Sequence, residues 1–548
     1  MPVESATVSL TRTITVGAGV FAPGHLGELT RYAPFELVDA VLAETGRVQR
    51  RVRAIPARVA VYFVLALGLF PHLGYARVWD KLVAALTGLP LPSPSEAALR
   101  QARRRLGVAP LRALFEAVAG PLARPDTPGV CYRRWRTVAF DGCSSFKAAD
   151  TAGLRAWLGK IRHPAGWAGY PSLMLMALVE TGTRGLIGAR FGPIRRDGEP
   201  GEGGELGYAR ALLSLLTRDM LVLADRGFDS NDFLTAVAAT GAQLLIRARS
   251  LRRPPVLAAL SDGSYLTKID GLSVRVIEAT LAVTTANGIT IGGSYRLLTT
   301  LTDHRRHPAL TLLKLYHERW EIESAFYALR HTMFRGRVLR SHTPTGLDQE
   351  LWALLTVYQL LRAAITDATE TRPGTDPDRS SFTIACEHAR NQLTNAAGII
   401  ATPDQPSIIG AATTRAPLPP RRRRASSRKV KCPTSRYASQ PPDDPRPATS
   451  SPITNTSYTI CPRTHTARPT SRRTGPHHIN WTHQILDLFH HHTGPPLPTT
   501  KIAAELGISY DHARSKLNTL TRQGLLHRPT PGHYTAAPQR PLTNHPPP

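Results

Sequence analysis

The chain has 548 residues, 42% of them hydrophobic, and its 68 Lys and Arg against 40 Asp and Glu give a formal net charge of +28. This length allows a sizeable apolar core and predicts three or more domains. The five cysteines have neither disulfide nor zinc-binding spacing, which excludes a disulfide scaffold and suits a reducing cytoplasm. The cationic excess indicates a polyanionic partner, most simply DNA, although the arginine bias of a GC-rich genome would produce the same charge.

No segment predicts secretion or membrane insertion. The N-terminus lacks the basic region and apolar core of a secretory signal. The longest apolar run, residues 59–70, is too short to cross a bilayer, which needs about 20 residues, and it predicts a buried helix. We therefore expect a cytoplasmic protein with no membrane partner.

Residues 1–125 predict a helical N-terminal domain. Apolar residues recur at helical spacing in three segments separated by Pro and Gly, namely 35–42, 59–70 and 75–86. A further helix is predicted to begin with Ser93 as N-cap and to run to Gly107. It carries four arginines: Arg100, Arg103, Arg104 and Arg105. These arginines either contact DNA, on phosphates or guanines, or form a solvated basic face.

Residues 126–235 predict the first part of an α/β core. Two short apolar runs of β type, 137–140 and 220–224, stop at Asp141 and Asp225. A Gly closely follows each Asp and lets the backbone turn away tightly. Ligands and metals gather at this edge of an α/β sheet, whereas either Asp alone is more simply explained as a turn or N-cap residue.

Residues 236–309 change in character and predict a β-rich insertion. Short β-type runs at 243–247, 273–278 and 295–299 are separated by turns that contain Gly. Helices then resume over residues 310–400 and predict the second part of the α/β core.

Within that second part, residues 316–330 predict a helix with an unusual charged face. At about 100° per residue, four side chains fall within an arc of roughly 60°. They are Tyr316, Arg319, Glu323 and Arg330. A carboxylate beside cations and a phenol suits a site that holds a metal ion and grips phosphate oxygens. For this helix alone, the alternative is a solvated surface with i,i+4 ion pairs.

Asp141, Asp225 and Glu323 together form the ordered carboxylate set of a two-metal phosphoryl-transfer site. With their flanking residues they resemble the DDE transposases of the insertion-sequence-four family, a bacterial group that includes the Tn-five-like enzymes. That family has the signature Tyr-x2-Arg-x3-Glu-x6-Lys, whose first three positions match Tyr316, Arg319 and Glu323.

The last signature position departs from the family, because Arg330 stands where the family has Lys. Arg keeps the charge but replaces a compact ammonium with a planar fork, so we expect phosphate binding to survive. The resemblance covers roughly residues 25–400. It implies a ribonuclease-H-like α/β catalytic core with a β-rich insertion and a helical N-terminal DNA-binding domain.

The implied function is that of a DNA transposase, which cuts and joins insertion-sequence ends by two-metal phosphoryl transfer. The carboxylates of Asp141, Asp225 and Glu323 would hold two Mg²⁺ ions, with Mn²⁺ as a possible substitute. The expected phosphate-binding residues are Tyr316, Arg319, Arg330 and Arg226. The expected partners are double-stranded DNA, as transposon ends and as target, and a second copy of the chain in a homodimer on DNA. The expected location is therefore cytoplasmic and nucleoid-associated.

The β-rich insertion has a further role in some relatives. In those that cut DNA through a hairpin intermediate, an aromatic residue in this region stacks on a flipped base. Here Tyr265 or Tyr295 would have to serve, because residues 236–309 contain no Trp. Cross-strand packing is the simpler explanation for both tyrosines.

The composition changes after residue 400. Residues 401–478 contain 14 Arg and Lys against 3 Asp, with abundant Pro, Thr and Ser, and predict a basic disordered linker. Its densest basic patch is 421–431, and the alternative is a decayed tail with no selected role. Residues 479–537 predict the helix and hairpin order of a winged helix-turn-helix, followed by a disordered tail at 538–548. The DNA contacts expected in this winged helix are Arg514, Lys516 and Arg522.

Two other functions are compatible with the sequence. One is a DNA-binding regulator derived from an inactive transposase, which would use the basic linker and the winged helix. The other is a nuclease of the same fold that does not transpose. The three intact carboxylates count against the regulator.

Overall fold

The computed structural model describes mainly residues 24–49, 53–86, 91–163, 166–194, 204–286, 290–397, 407–415, 417–419, 451–463 and most of 481–536, with three short strands outside these ranges. The contacts divide the chain into two compact units, Met1–His465 and Thr466–Pro548. Among the described helices, none is long and apolar enough to cross a membrane.

The helices of the first unit come largely before and after its strands. In chain order they are α1 Phe35–Glu44, α2 Ala57–Leu69, α3 Tyr75–Val83, α4 Glu96–Leu106, α5 Ala109–Val118, α6 Ala152–Leu158, α7 Gly204–Arg210, α8 Asn231–Ala239, α9 Ala309–Tyr316, α10 Glu321–Tyr327, α11 Pro344–Glu370, α12 Phe382–Thr394 and α13 Ile408–Arg415. The helix α2 is apolar on every face and is correspondingly buried from Val59 onward.

The long helix α11 joins the two helical parts of this unit. Thr343 caps it by accepting a hydrogen bond from the Gly346 amide at 3.2 Å, and Pro344 occupies the first turn, where its missing N–H costs nothing. α11 is buried along most of its length and packs against α2 and α5. The N-terminal helices therefore share one apolar core with the later part of the unit.

The strands of the first unit form one large mixed sheet and two small hairpins. In chain order they are β1 Thr15–Val16, β2 Val20–Phe21, β3 Cys131–Tyr132, β4 Trp135–Lys147, β5 Arg162–His163, β6 Gly166–Trp167, β7 Ser172–Glu180, β8 Leu186–Pro193, β9 Met220–Ala224, β10 Gln243–Arg247, β11 Ala258–Ala259, β12 Tyr265–Ile269, β13 Leu272–Thr285, β14 Thr290–Thr299, β15 Arg424–Ala425 and β16 Ser451–Ile460.

The large sheet has the order β11-β12-β13-β14-β10-β9-β4-β7-β8. The neighbours β4, β9 and β10 are parallel, whereas β7, β8 and β14 run antiparallel to their partners. Alternate residues of β4 pack on opposite faces: Val138 and Phe140 belong to one apolar cluster and Ala139 to the other. The sheet is therefore covered on both faces at its centre.

The helix α13 and the strand β16 of the first unit, together with the two-residue strand β15, lie in the segment 401–478, which the sequence predicted to be disordered throughout. The helix α13 packs against α11 and α12, and Ile409 is fully buried there. The strand β16 pairs antiparallel with β13 and so extends the inserted sheet. That prediction is wrong for these two elements, because their apolar residues find partners elsewhere in the fold. The basic patch 421–431 lies outside the described residues except for β15.

The second unit is small and has its own apolar core. Its elements are α14 Trp481–His490, β17 Leu497–Pro498, α15 Thr499–Glu505, α16 Tyr510–Arg522, β18 Leu526–Thr530 and β19 His533–Ala536. The three strands form a sheet in the order β17-β19-β18. Ile485, Leu517 and Tyr534 lie in the core between helices and sheet. The tail predicted at 538–548 lies outside the described residues.

Candidate active site

The two aspartates lie at the same level of the large sheet. β4 and β9 are parallel neighbours, and the last residues they pair are Ala139 and Leu223. Asp141 and Asp225 each come two residues later. Because residues of parallel strands advance in the same direction at the same spacing, this register brings Asp141 and Asp225 to one region of the sheet.

The strand β4 does not end at Asp141, contrary to the prediction. It continues to Lys147 because β7 pairs with it, with Gly142 opposite Met176. Gly142 therefore makes no turn, and its φ is not positive. The lack of a side chain at Gly142 instead leaves space for Glu205, because a Cβ on Gly142 would lie only 2.5 Å from Oε1 of Glu205.

The Asp141 carboxylate is largely buried, with 17% of its side chain exposed. Its Oδ1 accepts a hydrogen bond from the Gly142 amide at 2.8 Å. Burial raises the pKa of Asp141 to about 7; the charge of Arg319 opposes this shift, and the charges of Glu323 and Asp225 support it. All three predicted carboxylates therefore lie within electrostatic reach of one another.

Asp225 follows β9 directly and starts the short 3-10 helix Arg226–Phe228. Its Oδ1 accepts a hydrogen bond from the Gly227 amide at 2.7 Å, so Asp225 is also the N-cap of this turn. The neighbouring Arg226 is exposed, and its carbonyl accepts a hydrogen bond from Nε of Arg249 at 3.3 Å. Arg226 is thus placed beside the second aspartate with its side chain towards solvent.

The signature segment, residues 316–330, is not one regular helix. After α9 it passes through the 3-10 helix His317–Trp320, then α10, then the π-helix Ala328–Met333. These changes of helix type break the regular spacing from which a single polar face was predicted. Tyr316 and Arg319 are buried, whereas Glu323 is half-exposed, so these side chains differ in their access to solvent.

Tyr316, whose contact with phosphate stays a prediction, is buried in this structure. Its side chain is 2% exposed, and its hydroxyl donates a hydrogen bond to the Ala224 carbonyl at 3.1 Å. Burial raises the pKa of the Tyr316 phenol, so it stays neutral. Tyr316 therefore ties the signature segment to the end of β9.

Arg319 lies between two of the carboxylates. Its Nη1 is 3.8 Å from Oδ2 of Asp141, and its Nη2 donates a hydrogen bond to Oε1 of Glu323 at 3.3 Å. The guanidinium also lies over the Trp320 ring at 4.6 Å from its centroid. Burial opposes the charge of Arg319, but Tyr316 and the nearby carboxylates outweigh that effect and raise its pKa overall.

Arg330 lies in the π-helix and is half-buried. Burial raises the pKa of the Cys143 thiol, and the charge of Arg330 counteracts that rise. Arg330 is therefore within electrostatic reach of β4 two residues beyond Asp141. The binding of phosphate by Arg330 stays a prediction.

The three carboxylates do not form a complete metal-binding site in the described part of the chain. Among the described residues, no group of three or more His, Cys, Asp or Glu is placed to hold a metal ion. The Arg319 guanidinium lies between Asp141 and Glu323 and neutralises them. The donor set nevertheless fits a hard divalent cation, because all its donors are carboxylate oxygens.

A fourth carboxylate, Glu205 of α7, lies close to both aspartate-bearing segments. Its Oε1 is near Gly142 and its Oε2 near Gly227, as the space around these two glycines shows. Sequence reasoning missed it, because α7 follows a Gly-rich segment without a recognisable pattern. The available signal was the Gly within β4, since a strand Gly often marks the close approach of another group.

The arginines predicted on the fourth helix have separate roles. The helix α4 begins at Glu96 and is capped by Ser95, two residues later than predicted. Arg103 is buried and donates hydrogen bonds to Gln349 Oε1 at 2.6 Å and to Ser341 Oγ at 2.7 Å, so it is a structural residue. Arg100 and Arg104 line a cavity of about 610 Å³. Arg105 is exposed.

The two tyrosines considered for base stacking are both engaged within the fold. Tyr265 is 1% exposed and donates a hydrogen bond to Oε1 of Glu278 at 2.9 Å. Tyr295 is half-buried between Arg247, whose guanidinium is 4.2 Å from the ring centroid, and Tyr316, at 6.2 Å between centroids. These contacts favour the packing role for both tyrosines.

Comparisons with known proteins agree with this geometry. The family model for the insertion element 4 transposase N-terminal region matches residues 23–116, and the transposase DDE domain model matches residues 145–360. The chain is 28% identical over 432 residues to the transposase InsG for insertion sequence element IS4 of Escherichia coli (strain K12), covering 76% of this chain and 94% of that protein. Asp225 and Glu323 lie within the DDE match, and Asp141 lies just before it. Together, the two family matches and this relative support an IS4-family DDE transposase, and the chain is a DNA transposase.

Proposed function

We propose that Asp141, Asp225 and Glu323 hold two divalent cations, Mg²⁺ or its substitute Mn²⁺, with which the enzyme cuts and joins insertion-sequence ends. The observation that carries this proposal is the register of β4 and β9, which puts both aspartates at one level beside the signature segment. The sheet order β8-β7-β4-β9-β10 with three parallel central strands supports a ribonuclease-H-like core.

The chemistry divides between the cations and the chain. When bound, the cations supply Lewis-acid activation of the attacking hydroxyl and neutralise charge at the cleaved phosphodiester. The three carboxylates contribute the oxygen ligands. Arg319 pairs with Asp141 and Glu323, and its guanidinium would also donate hydrogen bonds to a phosphate oxygen of DNA bound beside them.

Further phosphate contacts come from two cations beside the carboxylates. Arg226 is exposed next to Asp225, and Arg330 is half-buried near the continuation of β4. Both are arginines, whose planar fork can donate two hydrogen bonds to one phosphate group. We assign them to the DNA backbone on either side of the cleaved bond.

Two further basic surfaces are proposed to contact DNA, one in each unit. One is the cavity beside α4, which is lined by Arg100, Arg104 and Arg337. The other is the helix α16 of the second unit, where Arg514 is exposed and Lys516 half-exposed. The order of helices and strands in that unit supports a winged helix-turn-helix with α16 as the reading helix. The side chain of Arg522 lies outside the described residues.

The proposed assembly is a homodimer on double-stranded DNA in the nucleoid. Joining requires two transposon ends and a target to be held together. One copy of the chain for each end satisfies that requirement with a single type of interface.

The experiment that tests the proposed site compares single isosteric changes. Asp141→Asn, Asp225→Asn and Glu323→Gln each remove one ligand charge and should reduce Mg²⁺-dependent cleavage of end-bearing DNA by orders of magnitude. DNA binding, measured by gel shift, should change little. Asp232→Asn is the matched control, because that carboxylate is 84% exposed on α8. Near wild-type cleavage by the Asp225 variant would contradict the assignment.

The same assay separates the proposed function from its alternatives. A regulator derived from an inactive transposase would bind the DNA without cutting it, and a simple nuclease would cut without joining. The regulator is not favoured, because the chain matches the DDE domain and retains all three carboxylates.

A further inference from the structure

Glu205 occupies a gap between the two aspartate-bearing segments. A Cβ on Gly142 would lie 2.5 Å from its Oε1, and a Cβ on Gly227 would lie 3.5 Å from its Oε2. Gly142 follows Asp141 directly, and Gly227 belongs to the turn that Asp225 caps. The Glu205 carboxylate therefore extends from one aspartate segment to the other.

The small size of Gly142 and Gly227, and not their backbone conformation, explains why glycine occupies these two positions. Neither Gly142 nor Gly227 has a positive φ, so an L residue would adopt either backbone without strain. An alanine at position 142 would, however, collide with Glu205, and also with Sδ of Met174 at 3.0 Å. The sequence pattern of Asp followed by Gly thus preserves room for this carboxylate.

The helix α7 holds Glu205 in this gap. Ala209 is fully buried, and Tyr208 donates a hydrogen bond through its hydroxyl to the Pro193 carbonyl at 3.0 Å. The helix also packs against β7, the strand next to β4. These contacts of α7 therefore fix the position of the Glu205 carboxylate.

Within the described residues, the charged group that acts on Glu205 is another carboxylate, Asp225. No Lys, Arg or His in the described part of the chain forms an ion pair with Glu205. Burial and the charge of Asp225 raise the pKa of Glu205, while the Gly142 amide acts in the opposite direction as a hydrogen-bond donor. A half-buried carboxylate beside another costs free energy unless a cation compensates for it.

We propose that Glu205 is a fourth carboxylate of the divalent-cation site, where it adds negative charge between the segments that carry Asp141 and Asp225. The inference rests on the proposed cation site and adds a residue outside the three-carboxylate signature. Glu205 acts as a positioning residue: it fixes the spacing of the two aspartate segments and increases the affinity of the site for the cation.

A direct binding measurement tests this role without relying on activity. The full-length protein is titrated with Mn²⁺ in the absence of DNA, and free Mn²⁺ is followed by electron paramagnetic resonance. Glu205→Gln keeps the shape and the acceptor oxygen but removes the charge, so it should weaken Mn²⁺ binding by about 10- to 100-fold. Glu205→Asp keeps the charge and should bind more tightly than Glu205→Gln.

Two controls make the outcomes distinct. Asp225→Asn should weaken Mn²⁺ binding, and Glu116→Gln, on a half-exposed side chain of α5, should leave it unchanged. If Asp225→Asn weakens binding and Glu205→Gln binds like the wild type, the role of Glu205 is refuted while the cation site stands. If Asp225→Asn also binds like the wild type, the proposed cation site itself fails.

A purely structural role for Glu205 gives a different pattern. Glu205→Ala would then weaken binding through loss of packing, whereas Glu205→Gln would bind like the wild type, and this result overturns the proposal. Thermal unfolding without metal provides the folding check. Glu205→Gln should be at least as stable as the wild type, since it removes an uncompensated half-buried charge.

Discussion

The Tyr316 hydroxyl donates a hydrogen bond to the Ala224 carbonyl at 3.1 Å. Both groups are buried, and Ala224 is the residue immediately before Asp225. The bond therefore fixes the start of the signature segment relative to the second aspartate. In this way a residue of the family signature is connected to the second aspartate through the backbone.

Tyr316→Phe should lower both stability and activity. The change leaves the buried Ala224 carbonyl without its donor, which costs about 1–3 kcal/mol of the free energy of unfolding. Urea unfolding measures this loss, and the rate of DNA cleavage should fall because Glu323 and Asp225 are no longer held in register. Tyr327→Phe is the control, since that ring is 63% exposed. Equal stability of Tyr316→Phe and the wild type would contradict the role as a tether.

The shared level of Asp141 and Asp225 could be predicted from the sequence. Each follows a short apolar β-type run, and parallel pairing of such runs brings their ends together. The carboxylate order and the family followed from the same residues. These features depend on local patterns, which are visible in one stretch of chain.

The course of the signature segment could not be predicted in the same way. Its regular apolar spacing indicated one helix, whereas the contacts of Tyr316 and Arg319 with β4 and β9 favour a change to 3-10 and then π geometry. Glu205 and the strand β16 were missed for a related reason. Their positions depend on partners that are distant in sequence, and no local pattern specifies those partners.

Two adjacent arginines of α4 should respond differently to replacement by alanine. Arg103→Ala removes a buried guanidinium from Gln349 and Ser341 and should cost about 2–4 kcal/mol of the free energy of unfolding. Arg104→Ala should leave stability unchanged, because Arg104 is exposed. It should instead weaken DNA binding and lower the salt dependence of binding by about one unit of slope. A stability loss in the Arg104 variant equal to that of Arg103 would refute this division.

The buried histidine His25 should make the protein sensitive to acid. Burial lowers its pKa from 6.5 to about 4, against the effect of a hydrogen bond with the Leu82 carbonyl. Between these two pH values the unfolded chain binds a proton that the folded chain does not, so the free energy of unfolding decreases as pH falls from about 6.5 to 4. The full loss is about 3 kcal/mol on an order-of-magnitude scale.

His25→Gln should flatten this pH dependence, even though it lowers stability at neutral pH by disturbing the Leu82 contact. Chemical unfolding at several pH values between 4 and 8 measures the slope. His342→Asn serves as the control, because His342 is exposed. A slope in the His25 variant as steep as in the wild type would assign the acid sensitivity to other groups.

Truncation should show that part of the segment 401–478 belongs to the folded first unit. A chain that ends at residue 465, the boundary between the two units, should unfold like the first unit of the full-length protein. A chain that ends at residue 405 loses α13 and β16. It exposes the surface covered by Ile409, removes the hydrogen bond at 3.1 Å between the Ile409 amide and Oε2 of Glu28, and leaves the edge of β13 unpaired.

We therefore expect the shorter truncation to be less stable than the longer one by at least about 2 kcal/mol, since burial of one isoleucine side chain alone contributes about this much. Thermal or urea unfolding of the two truncated chains measures the difference in stability. Ile409→Ala in the longer chain measures how much the packing of α13 contributes to it. If both truncated chains unfold at the same midpoint, the segment after residue 405 contributes nothing to the core, and the simple disordered linker becomes the better description.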